Sequence, residues 1–271
     1  MRRRLLLLFG KELVMKILCL GDVVGPAAVD RLCNVLWKYR KEHQIDFVML
    51  NGENADAGNG ITKATAQRLF AAGVDVITGG NHIFKKREVY RYLDDEERIL
   101  RPANYPAELP GKGDTILDVC GWRILVINVQ GTVFMDALDC PFRTVEKILE
   151  RNAGRYDLSL MDIHAEATSE KIALARHFDG KIDLIVGTHT HVPTADARIL
   201  PKGSGYVTDL GMCGVFESAL GVDVDCIIQK LRYKIPTKFE LSDGNVTFQG
   251  VEFVKSPQTA GAEFVTRVEF S

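Results

Sequence analysis

The sequence predicts an α/β fold in which two mixed β-sheets are layered between flanking α-helices. Short apolar runs alternate with segments whose apolar residues recur at helical spacing, and this alternation is typical of parallel strands joined by helices. The runs 115–119 and 123–129 are separated only by a turn at Gly121, which indicates antiparallel neighbours. The sheets are therefore expected to contain both kinds of pairing.

Length, composition and net charge indicate which classes of protein the chain can belong to. The chain has 271 residues, of which 46% are hydrophobic and 26% charged, so a sizeable buried core is expected. The formal net charge of −2 predicts no broad basic surface, and neither DNA nor a membrane is expected as a partner. No run approaches the roughly 20 apolar residues that cross a bilayer. The six cysteines lack C-x-x-C spacing, which is typical of free thiols in a reduced cytoplasm.

The first fourteen residues imitate a signal peptide without completing one. Three arginines precede an apolar stretch of only five residues, and no small-x-small cleavage site follows. Residues 1–14 are therefore interpreted as an N-terminal extension, either disordered or the product of an upstream start codon. Residues 15–271 are expected to form one folded domain.

The first half of the chain repeats a unit of strand, loop and helix. Each strand is a short apolar run, and the helices begin after turn-rich or capping residues such as Thr62. A loop from Arg101 to Pro106 then connects the two halves. The predicted strands of the first half are 16–20, 47–50 and 74–77.

The second half continues the alternation and ends in a more irregular region. A short helix is predicted at 226–233, followed by a hairpin of 239–242 with 246–248, because Asp243-Gly244 supplies the positive φ angles of a tight turn. A small cap formed by the segment after Gly211 is left open as an alternative. The other predicted elements are strands at 115–119, 123–129, 158–161 and 182–186, and helices near 145–151 and 168–177.

Residues able to bind metal follow five of the apolar runs. The carboxyl ends of strands are where open α/β sheets place their sites. Taken alone, Asp22 is equally consistent with a helix cap and His164 with a hydrogen-bonded core histidine. Their joint occurrence favours one site at a common sheet edge. The residues concerned are Asp22, Glu53, Asn54, Asn81, His82, His164, His189 and His191.

The chemistry of these side chains favours particular metals. Carboxylate and amide oxygens mixed with imidazoles, without a thiolate, favour iron or manganese, with zinc as a further option. Seven candidate ligands are too many for one ion. Two ions about 3.5–4 Å apart would use them, with Glu53 as the shared carboxylate, and such pairs recur in the hydrolysis of phosphate esters.

The motifs that surround these residues resemble a known family. The segments 21–25, 51–55, 101–104, 164–171 and 187–192 are similar to the YmdB-like branch of the calcineurin-like metallophosphoesterases. The resemblance extends from Met15 to Phe270. It implies a metallophosphoesterase-type layered sandwich and a cytoplasmic hydrolase that opens 2′,3′-cyclic nucleotides to 3′-nucleotides.

The same resemblance implies a role for each site residue. A metal-bound hydroxide would attack phosphorus, and His82 would protonate the leaving oxygen. Glu53 would be shared between the two ions. The implied ligands are Asp22, Glu53, Asn54 and His191 for one ion and Glu53, Asn81, His164 and His189 for the other.

Three positions depart from the broader superfamily. Val24 stands where the superfamily has a histidine, and Glu53 replaces its bridging aspartate, and both changes are expected in the YmdB-like branch. Ile83 follows His82, where many members carry an acidic residue that orients the histidine. The alternatives are a phosphomonoesterase, an enzyme acting on RNA ends, and a regulatory protein with the same metal site. The oligomeric state is not predicted.

Overall fold

The computed structural model describes residues 14–259 and 261–271. Residues 1–13, which contain most of the predicted extension, lie outside the described residues. Twelve strands are present in the described part, and each of two sheets contains six of them. The strands are β1 (Met15–Val23), β2 (Phe47–Asn51), β3 (Val76–Thr78), β4 (Asp114–Val119), β5 (Trp122–Gln130), β6 (Leu158–His164), β7 (Leu184–Thr188), β8 (Arg198–Ile199), β9 (Gly205–Val207), β10 (Met212–Val215), β11 (Val246–Lys255) and β12 (Phe264–Phe270).

Both sheets are mixed, as the sequence predicts. The first has the order β12-β11-β10-β1-β2-β3, with β1 parallel to β2 and β10 and antiparallel to β11. The second has the order β4-β5-β6-β7-β9-β8, in which β5, β6, β7 and β9 are parallel. Its edge strands β4 and β8 are antiparallel to their neighbours, which confirms the antiparallel pair predicted around Gly121.

Six helices are described, and each of them lies between two consecutive strands of the chain. Thr62 accepts a hydrogen bond from the Thr65 amide at 3.2 Å, so the predicted cap forms at the start of the second helix. The helices are α1 (Gly25–Glu42), α2 (Lys63–Ala71), α3 (Val89–Asp95), α4 (Pro141–Arg151), α5 (Thr168–Phe178) and α6 (Val224–Tyr233).

The core has three layers because successive side chains of a strand point to opposite faces. In β1, Ile17 and Cys19 pack between the two sheets, whereas Leu18 and Leu20 pack beneath the helices of the first sheet. A strand buried on both faces reads as a continuous apolar run, which is why it is visible in the sequence. The second sheet is covered by α4 and α5 in the same way.

Two expectations are corrected. The predicted hairpin is wrong, because residues 239–242 form no strand and β11 pairs with β1, β10 and β12 instead. The strands that carry the candidate ligands do not share one sheet edge: β1, β2 and β3 belong to the first sheet, and β6 and β7 to the second. Twist and packing bring both sets of carboxyl ends together from facing sheets. No helix in the described residues is both long and apolar enough to cross a membrane.

Candidate metal centre

The carboxyl ends of five strands converge at one end of the sandwich. Asp22 lies near the end of β1, Glu53 follows β2, and Asn81 follows β3. From the second sheet, His164 ends β6, and His189 directly follows β7. The backbone N–H of His189 donates to Oδ2 of Asp22 at 3.1 Å, which joins the two sheets at this end. All seven predicted ligand residues are brought together here.

Three of these residues surround the side chain of His164. Its Nε2 lies 3.3 Å from Oε1 of Glu53, 3.0 Å from Oδ1 of Asn81 and 3.1 Å from Nδ1 of His189. His164 and Glu53 are buried. These contacts form one compact group of two oxygens and two imidazole nitrogens.

The other three residues form a second group beside the first. Nε2 of His191 lies 3.6 Å from Oδ1 of Asp22 and 3.3 Å from Nδ2 of Asn54. Nδ2 of Asn54 is also 3.1 Å from Oε1 of Glu53. Glu53 therefore lies between the two groups.

His82 lies against both groups on the side of the first sheet. Its Nδ1 is 3.1 Å from Oε1 of Glu53 and 3.0 Å from Oδ1 of Asn54. Its backbone N–H donates to Oε2 of Glu53 at 2.8 Å. The side chain of His82 keeps 25% of its surface exposed, so one edge of the ring remains open to solvent.

The His189-Thr190-His191 loop has an unusual backbone. His189 has φ of 96° and His191 φ of 64°, both in the left-handed region that non-glycine residues rarely adopt. Thr190 between them is held by Asp209, whose Oδ2 accepts from the Thr190 amide at 3.2 Å and hydroxyl at 2.8 Å. The same oxygen accepts from Nζ of Lys171 at 2.6 Å, and both charged side chains are 1% exposed. A buried ion pair thus fixes the loop that carries two histidines.

Comparison with known proteins identifies the family. A family model described as YmdB-like protein matches residues 18–268. The 2′,3′-cyclic-nucleotide 2′-phosphodiesterase of Bacillus subtilis (strain 168) is 41% identical over 254 residues, which cover 94% of this chain and 96% of that protein.

The chain belongs to the YmdB-like family.

Solved structures agree with this membership. A structure titled a novel phosphatase, from Mycoplasma pneumoniae, superposes with a TM-score of 0.89 at 32% identity, covering 96% of this chain and 94% of that one. A hypothetical protein from Thermus thermophilus gives a TM-score of 0.85 at 38% identity, covering 94% and 99%. The YmdB-like chain has a metallophosphoesterase-type fold and is a phosphoester hydrolase.

A second layer of polar residues orients His164 in this YmdB-like protein. The Thr188 hydroxyl donates to Oδ1 of Asp162 at 2.8 Å, so its oxygen accepts from Nδ1 of His164 at 2.9 Å. Asp162 also accepts from the Thr78 hydroxyl at 2.5 Å and from Nδ2 of Asn51 at 3.3 Å. A proton on Nδ1 of His164 satisfies these hydrogen bonds, and a neutral ring in that tautomer would present Nε2 to a cation.

Charges within the centre ionise its carboxylates, and in the absence of metal they protonate two of its histidines: burial lowers the pKa of His164 and of His191, but the charge of Glu53 raises the first to about 9 and that of Asp22 raises the second. Burial of Asp22 favours the neutral acid, but the charge and hydrogen bond of His191 and the charge of His164 together outweigh it and lower the pKa of Asp22. Burial also opposes ionisation of Glu53, yet the charge and hydrogen bond of His164 hold its pKa well below the usual range. Burial and the neighbouring His164 lower the pKa of His189 to about 4. The carboxylates are therefore charged and His189 is neutral near pH 7.

The space and the donors at the centre fit a metal ion. Ligand atoms of Glu53, His164 and His189 all lie within 4.8 Å of one another. A Cβ at Gly80 would lie 2.3 Å from Nε2 of His164 and 2.4 Å from Oε2 of Glu53, so this glycine keeps the space beside them open. Mixed oxygen and imidazole donors suit iron, manganese or zinc. The YmdB-like centre is accordingly a site for divalent metal.

Sequence reasoning missed the residues that support the ligands. Asp162, Thr188 and Asp209 were not predicted to belong to the site, although each is a buried polar residue within or directly after a strand. A polar side chain inside an otherwise apolar run, such as Asp162 in β6, is the signal that could have revealed it. Gly80 carried no such signal, because its role is visible only from the side chains around it.

Proposed function

We propose that this YmdB-like protein hydrolyses 2′,3′-cyclic nucleotides to 3′-nucleotides at a centre that holds two metal ions. The arrangement of the seven candidate ligands in two contact groups, with Glu53 between them, supports the proposal most directly. The substrate class rests on the Bacillus subtilis relative, which is named for this reaction and aligns with 94% of the chain.

Each contact group would hold one ion. Asp22, Asn54 and His191 would bind the first, and Asn81, His164 and His189 the second, with Glu53 shared. Asn54 directs Nδ2 rather than its oxygen at the first group, so coordination would require its amide to turn over. Iron or manganese is the preferred metal, with zinc as the alternative. When bound, two such ions would activate water and neutralise charge on the phosphoryl oxygens.

His82 is assigned the proton that the leaving 2′ oxygen needs. Its Nδ1 lies 3.1 Å from Oε1 of Glu53, and this contact sets the ring plane where Ile83 offers no orienting carboxylate. Ile83 is instead fully buried in the core. Proton donation by a positioned side chain contributes about 10²–10⁴-fold to the rate of such reactions.

The first test compares 2′,3′-cyclic AMP with 3′,5′-cyclic AMP, using purified protein with manganese and chromatographic identification of the product. Release of 3′-AMP from the 2′,3′ substrate alone is expected. If neither cyclic nucleotide is cleaved, the proposed substrate class is wrong. Hydrolysis of phosphomonoesters or of RNA ends would then identify the substrate class instead.

The second test addresses His82. The His82→Ala variant is expected to retain its metals, counted by elemental analysis, and to lose about 10²–10⁴-fold in kcat. His43→Ala, in the loop after α1 and bonded to Glu252 far from the centre, is the matched control. Undiminished turnover by His82→Ala would refute the assigned role.

A further inference from the structure

The loop after β5 presents an aromatic side chain in an unfavourable conformation. Phe134 has φ of 64°, which is an outlier for a bulky residue and costs on the order of 1–3 kcal/mol. It is also 88% exposed, more than any other large apolar side chain in the described residues. Neither the backbone strain nor the exposed ring stabilises the fold, so the conformation calls for a functional reason.

Glu170 holds the base of this loop. Its carboxylate accepts from the Thr132 amide at 2.9 Å, from the Thr132 hydroxyl at 3.2 Å and from the Val133 amide at 3.1 Å. A Cβ at Gly131 would lie 2.3 Å from Oε2 of Glu170, so only glycine permits this approach. The buried carboxylate thus fixes the backbone immediately before Phe134.

The loop starts beside the metal centre. Gln130, the last residue of β5, pairs with His164, and the Gly131 N–H donates to the His164 carbonyl at 3.0 Å. Phe134 is three residues further, so its Cα lies within about 11 Å of the Cα of Gly131. The loop therefore keeps Phe134 near the end of β5, which adjoins the centre.

Tyr105 connects the end of β5 to the loop that carries His82. Tyr105 donates its hydroxyl to Oε1 of Gln130 at 3.2 Å, and its ring meets that of Phe84 at a centroid distance of 5.7 Å. Phe84 follows His82 by two residues. The loop of Phe134 and the loop of the proton donor therefore flank the centre on the side of β5.

We propose that Phe134 stacks on the base of the nucleotide substrate and thereby determines the preference of the enzyme for nucleotides over other phosphodiesters. The inference rests on the proposed function. A flat ring offered to solvent can stack on any base, because every base has a π face, and this contact requires no matching hydrogen bonds. Glu170 acts as a positioning residue for the ring.

The experiment compares two diesters that contain the same five-membered cyclic phosphate. One is 2′,3′-cyclic AMP, and the other is the 2′,3′-cyclic phosphate of 1-O-methylribose, which has the same ester but no base. Phe134→Ala is expected to raise KM for the nucleotide about 5- to 150-fold, the change that corresponds to about 1–3 kcal/mol of stacking, and to leave the base-free diester unchanged. Phe134→Trp should restore the nucleotide KM.

Two further variants separate stacking from general effects. Glu170→Ala frees the loop and is expected to raise KM for the nucleotide alone, without a change in kcat on the base-free diester. Phe264→Ala removes a 46% exposed phenylalanine at the start of β12, at the opposite end of the first sheet, and should change neither substrate.

The outcomes distinguish the two proposals. If the wild type hydrolyses neither diester, the proposed function fails and the inference fails with it. If the wild type hydrolyses both, while Phe134→Ala leaves the nucleotide KM unchanged or raises both KM values equally, base stacking alone is overturned.

Discussion

The first sheet brings carboxylate and amide oxygens to the metal centre, and the second sheet brings imidazole nitrogens. None of the oxygen donors at the carboxyl ends of β1, β2 and β3 has a positive φ. On the second sheet, His189 and His191 both lie in the left-handed region, with φ of 96° and 64°. The two halves of the centre are therefore built at different conformational cost.

The difference shows where the surrounding structure must compensate. Left-handed backbone at a non-glycine residue persists only where neighbouring groups hold it, and here Asp209 and Lys171 hold Thr190 between the histidines. The first sheet requires no such clamp, but it requires space, which Gly80 provides. Mutations in the two halves should therefore have different effects. Loss of the contacts that hold the strained loop should lower stability, and loss of space beside Gly80 should lower metal affinity.

The largest effect is expected from Asp209→Ala, which tests the clamp that Asp209 and Lys171 form on Thr190. The variant leaves the Lys171 ammonium buried without its carboxylate, and removal of one partner of a buried pair costs about 3–5 kcal/mol. Chemical denaturation of the metal-free protein measures this change in the free energy of unfolding. Asp30→Ala is the control, since its partner Arg68 is exposed and little change is expected. Equal stability of the two variants would mean that the strained loop needs no clamp.

Gly80→Ala tests the crowded half. Its Cβ would lie 2.2 Å from Cδ2 of His164, so the histidine must shift, and a displacement of about 1 Å costs on the order of 10²-fold in activity. Metal affinity by calorimetry and kcat/KM should both fall, while the fold persists. Gly121→Ala is the control, because no atom lies near its Cβ position; its φ of +82° costs some stability but should leave metal affinity unchanged. Unaltered metal affinity in Gly80→Ala would show that this space is not needed.

Thr188→Val tests orientation of the one histidine of the second sheet that lies in regular strand. The variant removes the hydroxyl between His164 and Asp162, and loss of such an outer partner costs about 10–100-fold in metal affinity. Thr188→Ser keeps the hydroxyl and should bind metal as the wild type does. Equal metal affinity of the valine and serine variants would show that the Thr188 hydroxyl does not orient His164 for metal binding.

The smallest effect is expected from Thr190→Val. It deletes the hydroxyl bond to Asp209 but keeps the amide bond and the Lys171 pair, so about 1 kcal/mol of stability should be lost. Thr190→Ser is the matched control and should unfold at the wild-type denaturant concentration. A loss of stability as large as that of Asp209→Ala would mean that the Thr190 hydroxyl, and not the ion pair of Asp209 with Lys171, holds the loop.

Local sequence patterns correctly predicted those elements whose own residues carry the signal. Strands buried on both faces, such as β1 and β2, are continuous apolar runs, and the turn at Gly121 marked the pair β4 and β5. The Asp243-Gly244 signal failed for the opposite reason. β11 pairs with β1, which lies more than two hundred residues earlier, and these distant partners replaced the local hairpin.

The sequence by itself determined which side chains stand at the ends of the strands and hence which could bind metal, because strand ends follow from local apolar runs. Only the tertiary structure decided that these ends come from two facing sheets. It also decided that Lys171 and Asp209, 38 residues apart, meet beneath the histidine loop. Contacts of this kind depend on how sheets and helices pack, and the spacing of residues along the chain does not carry that information.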